Sequence, residues 1–471
     1  MSSDMLVELL GALDAPQHRY GDLELYYEGK QPLAFLSADA RAALDNRFGR
    51  MVSNIPRLAV NSLAERLRIT GFADADVWDD WLRNDLDQLA TVAHREALLY
   101  GSSFVIVWAD TQGRPQVSVE SARQVQVKRD PGSREVVAAV KRWRTATQTF
   151  AVLYLPDEIQ RWRANTTGAA TPAFELVETI DNPLGVVPVV ELKNIDRLPI
   201  LTSTSPDMFD HGLSEIDDLK PLVDGLAKIL SDMMVTSEYV GRPRRWATGI
   251  ELVERPVLDT DGNPVIEDGE PVMETVNPIP EGNRAMVSEN DAANFGQLPA
   301  ADLRGYETAV NVLLGQIMAV SALPAHYVGI FTDNPASADA LRASEAGITA
   351  RAEARQSVFG RSWEQVARLM VAIRDHSGIA DVRARVRWAD ASTRSTAQEA
   401  DAVTKLVGAG ILSIPGALRR LGFTEEEIAQ ELLDTAQYNE ANTHPELVTA
   451  YRYYGGLAKE DTQNQKDLMN E

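Results

Sequence analysis

The chain of 471 residues has no cysteine. That absence excludes disulfides, thiolate chemistry and the commonest structural zinc sites. Long apolar runs are also missing. No window approaches the ~20 uninterrupted apolar residues that a membrane-crossing helix needs, and Met1 to Leu13 lacks a basic leader followed by an apolar core. Neither membrane spanning nor secretion is expected, and synthesis inside the cell is. No Gly-x-x-x-x-Gly-Lys-Ser/Thr loop occurs, so nothing cradles nucleotide phosphates in that manner. The six histidines (His18, His94, His211, His326, His376, His444) show no metal-ligand spacing. No cofactor, metal or catalytic residue is assigned. Positive charge is short as well: 46 Lys and Arg face 69 Asp and Glu, a net charge of −23. Tight nucleic-acid binding works through clustered cations that neutralise phosphates, so this chain is not expected to hold DNA tightly.

What is present is length and rhythm. A chain this long exceeds the usual single core, and 44% hydrophobic residues suffice to build more than one lobe. Ile216, Leu219, Leu222, Leu226, Leu230 and Met233 recur at helical spacing, with Ser214 and Asp217 as a capping-box-like start. Leu303, Tyr306, Val310, Leu313, Ile317 and Val320 repeat that rhythm, and Pro324 stops it. These two helices bracket residues 241–299. Between them acidic residues crowd with few counter-charges. Asp261-Gly262 and Asp268-Gly269 lie between short apolar runs as hairpin turns do. The insert therefore reads as a small β or α/β module.

A third helical pattern follows Asn334-Pro335, residues suited to an N-cap and a first turn. Its apolar positions run from Leu341 through Ile348, Phe359, Trp363 and Met370 to Ile373. An unbroken helix from Pro335 to about Asp375 is on the order of 60 Å long. Gly347 and Gly360 weaken it locally, by about 1 kcal/mol each relative to Ala, and are candidate bends. Upstream, residues 1 to about 95 read as mostly helical, with a loop at Gly71 to Asp76. From Ser103 the period changes: Phe104–Trp108, Val117–Val119, Val125–Val127, Val136–Trp143, Phe150–Leu155, Phe174–Thr179 and Val186–Leu192 read as strands of one β-rich lobe. Val382–Trp388 reads as a strand returning to that lobe. Short helices follow at Ala397–Val407, Gly416–Leu421 and Thr424–Leu433. The fold class is α+β.

Two segments carry the outline of a chemical motif. Asp259-Thr-Asp-Gly-Asn263 starts like a calcium loop, but Pro264 stands where that loop needs glycine, so a hairpin turn is the better reading. Asp157 with Glu191 and Lys193 mimics the spacing of a metal-dependent nuclease, although each also fits an ordinary turn or strand position.

The order of these elements resembles phage portal proteins of the SPP1 type. The segment from Pro324-Ala-His-Tyr-Val-Gly through Ile330-Phe-Thr-Asp-Asn-Pro335 to Glu345 carries most of the likeness, supported by Tyr26-Tyr-Glu-Gly-Lys30, Ala97-Leu-Leu-Tyr-Gly-Ser-Ser103 and Asn182-Pro-Leu-Gly-Val-Val-Pro188. The resemblance implies a portal fold: a mixed α/β wing over residues 1–212, a first stem helix over 213–240 and a clip over 241–300. It further implies a second stem helix over 301–323, a tunnel loop over 324–334, a long wing helix with its return strand over 335–391, and an all-α crown over 392–471. By that resemblance Ile330, Phe331, Thr332, Asp333 and Asn334 face a DNA channel. Asp217, Lys220, Asp224, Lys228 and Arg304 are the charged stem positions. Arg242, Arg244 and Arg245, before Trp246, are either a solvated surface or an intersubunit clamp at the clip. The implied protein is non-enzymatic: a homo-oligomeric ring, twelvefold in the family, at the unique capsid vertex. Double-stranded DNA passes through it for packaging and ejection. Its partners would be the terminase large subunit, a head-tail adaptor, and the major capsid and scaffold proteins, first in the host cytoplasm and then in the virion. A nuclease or DNA-processing enzyme, and a scaffold or adaptor that forms no ring, are the rival readings.

Overall fold

A computed structural model describes residues 2–32, 52–130, 132–168, 173–195, 212–241, 245–249, 253–258, 263–267, 269–276, 292–297, 303–330, 338–392 and 396–442. In chain order the elements are α1 (Ser2–Asp14), α2 (Gln17–Glu28), α3 (Ile55–Ala64), β1 (Ile69–Ala73), α4 (Trp78–Arg83), α5 (Leu86–Tyr100), β2 (Ser102–Ala109), β3 (Pro115–Ser121), β4 (Val125–Arg129), β5 (Val136–Arg144), β6 (Thr149–Tyr154), β7 (Glu158–Ala164), β8 (Glu175–Asp181) and β9 (Val189–Lys193). Then come α6 (Lys220–Gly241), β10 (Arg245–Thr248), β11 (Val253–Pro256), β12 (Ile266–Glu267), β13 (Glu270–Pro271), β14 (Met273–Val276), β15 (Asn294–Gln297) and α7 (Arg304–Ser321). A short 3-10 turn, Ala325–Val328, precedes α8 (Ala338–Asp375), β16 (Arg385–Trp388), α9 (Thr396–Gly408), α10 (Ile414–Arg420) and α11 (Glu425–Asn442). The chain divides into two compact units: Met1–Pro32, Ser53–Val223 and Gly315–Glu471 form the first, Leu33–Val52 and Asp224–Leu314 the second.

In the first unit, two antiparallel sheets face each other. The five-stranded sheet is a meander in the order β4-β5-β6-β7-β8, and the three-stranded sheet has the order β3-β2-β9. Leu6, Leu9, Leu10 and Leu13 recur three and four apart on α1, which puts them on one stripe. They bury against Ala138, Val140, Ala151, Leu153 and Trp162 of the meander. Each leucine so buried stabilises by about 2 kcal/mol. The opposite face of the meander meets the three-stranded sheet through two ion pairs. Lys141 pairs with Glu120, and Arg129 Nη2 lies 2.8 Å from Glu191 Oε2. Glu191 is fully buried, and burial alone would raise its pKa. The charges of Lys193 and Arg129, with hydrogen bonds from Arg129 and Ser102, outweigh that and hold it below the usual carboxylate range.

A second core lies under α8. Trp363 Nε1–H donates to His94 Nε2 at 2.8 Å, and the His94 ring stacks on Phe359 with centroids 5.6 Å apart. Trp81 meets Trp363 edge to face, 5.1 Å between centroids. Because Nε2 is the acceptor, the neutral ring carries its proton on Nδ1. Burial pushes this histidine down to about 3.

Several expectations are corrected here. Gly71–Asp76 is not all loop, because Ile69–Ala73 is a strand. It pairs antiparallel with β16, so the strand at Val382–Trp388 returns to β1 and not to the β-rich lobe. β7 joins the lobe although its charged residues hid it. The first stem-like helix starts at Lys220, not near Ser214, and residues 215–219 form turns. Pro221 fits the first helical turn because it has no N–H to leave unpaired. Ser214 Oγ accepts from the Ile216 N–H at 3.1 Å, a local turn in place of the capping box. α8 is one continuous helix of 38 residues with no break at either glycine. A Cβ on Gly360 would sit 3.1 Å from Val386 Cγ1 and 3.3 Å from Trp388 Nε1, so this glycine admits β16 against the helix.

In the second unit α6 and α7 run antiparallel. A Cβ on Gly225 would sit 3.7 Å from Leu313 Cδ1, while Thr236 Oγ1 and Tyr306 Oη share a 3.0 Å hydrogen bond. Between the helices, the described residues of the insert are antiparallel strand pairs: β10 with β15, β11 with β14, β12 with β13. Glu267 pairs with Glu270, and Gly269 in the link between them has φ +90°. Asp268 itself, and Asp259–Gly262, lie outside the described residues.

Candidate functional site

The most constrained polar region of the first unit is where the chain leads into α6 and out of α7, and α8 supplies its cations. Arg355 Nη2 and Nε donate to Glu215 Oε1 at 2.8 and 3.1 Å, with both side chains nearly buried. Arg351 stands one turn earlier on the same helix face. Its Nη1 lies 3.6 Å from Glu215 Oε2, and its Nη2 donates to the Val320 carbonyl at 2.6 Å. One pair of arginines thus holds the segment before α6 and the last turn of α7 together. The carbonyl it takes is one that the helix end leaves without an intrahelical donor.

A second hub sits nearer the start of α8. Arg66 Nη2 lies 2.9 Å from Glu345 Oε2 and 3.2 Å from Tyr327 Oη, and its Nη1 donates to the Ala391 carbonyl at 2.6 Å. His326 Nε2 approaches the other oxygen of Glu345 at 3.4 Å. Burial works against the charge on Arg66, but hydrogen bonds to Glu345 and Tyr327 outweigh it and hold its pKa above the ordinary arginine value. The turn Ala325–Val328 is therefore pinned on a buried ion pair. Such a pair is costly to break from one side, about 3–5 kcal/mol, because the remaining charge is left buried.

The sequence-predicted positions divide among these elements. Asp217 lies in the turns before α6 and accepts from Arg19 Nη2 at 2.6 Å. Lys220 Nζ reaches Asp22 Oδ2 at 2.7 Å and lies over the Tyr26 ring. Both are engaged on α2. Asp224 and Lys228 lie on α6, where Lys228 pairs with Asp232, and Arg304 is the first residue of α7. Arg245 opens β10 opposite Gln297. Trp246 is 44% exposed and covers Gly296, where a Cβ would come within 2.5 Å of the indole. Ile330 is half-buried just past the 3-10 turn. Phe331, Thr332, Asp333, Asn334, Arg242 and Arg244 lie outside the described residues. Asp157 lies in the bend between β6 and β7 while Glu191 lies on β9 of the other sheet, and Glu191 is occupied by Arg129 and Ser102. They do not form the pair a nuclease would need. A cleft of about 540 Å³ between the two sheets is lined by Trp108, Trp143, Phe150 and Tyr154. Its two cations, Lys141 and Arg161, are already paired with Glu120 and Glu178.

Sequence reasoning missed both arginine hubs. Arg351 and Arg355 at i and i+4 were visible as a pair, but their acceptors Glu215 and Val320 lie outside any local pattern.

A helix pair leading to and from a hairpin insert, both ends clamped by one long helix, defines an architectural subunit. The chain belongs to the phage portal protein family, SPP1 Gp6-like, whose model matches residues 13–442. It is 31% identical over 399 residues to the portal protein of Mycobacterium phage L5, covering 79% of this chain and 76% of that one. With the portal protein of Mycobacterium phage D29 it shares 29% over 432 residues, covering 87% and 83%. Among solved structures, a chain from the virion of a native gene transfer agent particle is 12% identical at a TM-score of 0.43, covering 86% of this chain and 93% of that one. A chain from the neck of the native gene transfer agent particle, computed with C12 symmetry, is 13% identical at a TM-score of 0.42, covering 83% and 95%. At that distance these two say nothing about assembly.

Proposed function

We propose that this protein forms a closed homo-oligomeric ring at the capsid vertex of a tailed phage. Double-stranded DNA passes through its channel during packaging and ejection. Membership of the portal family over residues 13–442 carries the reading. α6 and α7 support it as the stem, the strand pairs between them as the clip, α8 as the wing helix and α9–α11 as the crown. The apolar stripe of α7 is only partly covered: Ile317 is buried, Tyr306, Val310, Leu313 and Val320 are half-buried, and Val312 beside the stripe is 60% exposed. Neighbouring copies would cover the remainder. A net charge of −23 suits a conduit, because walls that weakly repel phosphates let duplex slide without sticking. The protein acts without catalysis. The clip docks the terminase and later the head-tail adaptor, and the wing meets capsid and scaffold proteins. Asp217 and Lys220 are engaged on α2, so Asp224, Lys228 and Arg304 are the charged stem positions assigned to the channel wall. Negative-stain electron microscopy with native mass tests this: annular particles of roughly twelve subunits are expected. Monomers or dimers over the whole accessible concentration range, with and without scaffold protein, would refute it.

A further inference from the structure

The β1–β16 ribbon has two unlike faces. Phe72, Val386 and Trp388 turn toward the core, with Val386 and Trp388 against Gly360 of α8. The other face carries Arg385 opposite Ala73 and Arg387 opposite Gly71, so no large side chain stands across from either arginine. Arg383 precedes them at the same alternation. Arg68 lies at the other end of the ribbon, where its carbonyl accepts the Ala389 N–H at 2.8 Å. Its Nη2 would be 3.6 Å from a Cβ on Gly422, just beyond α10. Arg419 of α10 is near enough to Arg387 to act with burial in lowering its pKa, against the pull of Asp74. Arg68, Arg383, Arg385 and Arg419 are exposed. Among the described residues, Arg68, Arg383 and Arg385 make no ion pair. In a chain of net charge −23 these three arginines are a local concentration of positive charge.

Elsewhere the same chain presents the complement. On α11, Glu427, Glu431 and Asp434 fall at i, i+4 and i+7, one helical stripe, beside Glu426 and an exposed Leu433. Carboxylates four apart on a helix are separated by about 6 Å along its axis, and alternate residues on a strand by about 6.7 Å, so two or three guanidinium groups of the ribbon match the stripe in step. Among the described residues, no ion pair joins stripe and ribbon within one copy. We propose that the arginine face of the β1–β16 ribbon docks the acidic stripe of α11 from a second copy, a heterologous contact of the kind that closes rings. The inference rests on the ring reading above. Duplex DNA is the poorer occupant, since a molecule of net charge −23 repels a polyanion beyond the immediate patch.

The test is charge reversal read by native mass and negative-stain imaging at 150 mM salt. Arg383→Glu with Arg385→Glu should abolish rings while circular dichroism and tryptophan emission stay those of the parent. Adding Glu431→Arg and Asp434→Arg to the same chain should restore them, because the substituted charges are then opposite in sign across the contact again. Rings that survive the first pair, or fail to return with all four substitutions, overturn the proposal. So does a first pair that keeps its rings but loses retention on duplex DNA, which would make the patch a nucleic-acid contact. A parent chain that forms no ring refutes the portal assembly itself and this contact with it.

Discussion

Acid should loosen the first unit through His94, and the size of the effect follows from its surroundings. An unfolded histidine titrates near 6.5, whereas burial between Phe359, Trp363 and Trp388 pushes His94 down to about 3. Between those values the unfolded chain binds a proton that the folded one refuses. Stability from this group is complete above pH 6.5 and is lost as pH falls toward 3, at about 1.4 kcal/mol per unit. Between pH 7.5 and 5.5 the loss is therefore about 1.4 kcal/mol. Urea unfolding of the parent and of His94→Phe, followed by tryptophan emission at the two pH values, isolates the term, because carboxylate titrations common to both proteins cancel. His94→Phe leaves the Trp363 N–H without its acceptor, which costs about 1–3 kcal/mol at either pH but does not change the difference between them. The parent should lose about 1.4 kcal/mol more than the variant on acidification. A difference below about 0.5 kcal/mol, or one of opposite sign, would show that His94 is protonated or solvated in the folded protein.

Arg66→Ala should destabilise the first unit by about 3–5 kcal/mol by removing the guanidinium from the buried Glu345, while Arg66→Lys should recover only part because it cannot reach Glu345, Tyr327 and Ala391 together; thermal melts of the three proteins check the order. Gly360→Leu should cost about 1–3 kcal/mol by driving β16 off α8, despite leucine's better helix propensity, and a melting temperature at or above the parent's would sink that account. Asp157→Ala should leave duplex DNA incubated with magnesium as intact as the parent protein leaves it, in a gel assay on a long linear substrate; cleavage by the parent that disappears in the variant would revive the nuclease reading.

Elements with a long internal rhythm were legible in the sequence, and those defined by a distant partner were not. The stripes of Ile216–Met233 and Leu303–Val320 and the run from Leu341 to Ile373 each repeat often enough to fix helix type and approximate span. Gly269 marked its hairpin because the link needs a positive φ there. β1 has only five residues with a glycine inside, and four of them are buried, so no alternation signalled it. Its partner β16 lies more than 300 residues away. β7 was obscured because its exposed positions are Arg161 and Arg163 and its register against β8 shifts between Arg161 and Trp162. For the site, the loop before α8 was recognisable by likeness, but what anchors it was not. Arg66 and Glu345 are 279 positions apart, and nothing local distinguishes either from a surface charge.

The hubs also explain how an acidic chain uses its arginines. Arg66, Arg129, Arg355 and Arg374 each meet a buried or nearly buried carboxylate on a segment remote in sequence: Glu345, Glu191, Glu215 and Asp80. A guanidinium can bond several acceptors in one plane, so one residue ties two or three segments where a lysine would tie one. Cations used in this way are withdrawn from the surface, and what the surface keeps is mostly carboxylate. The exposed arginines of the β1–β16 ribbon break that pattern. Arg383 and Arg385 are exposed and, among the described residues, in no ion pair, so they tie no segments of their own copy together, and this is why charge reversal there should act on assembly and not on folding.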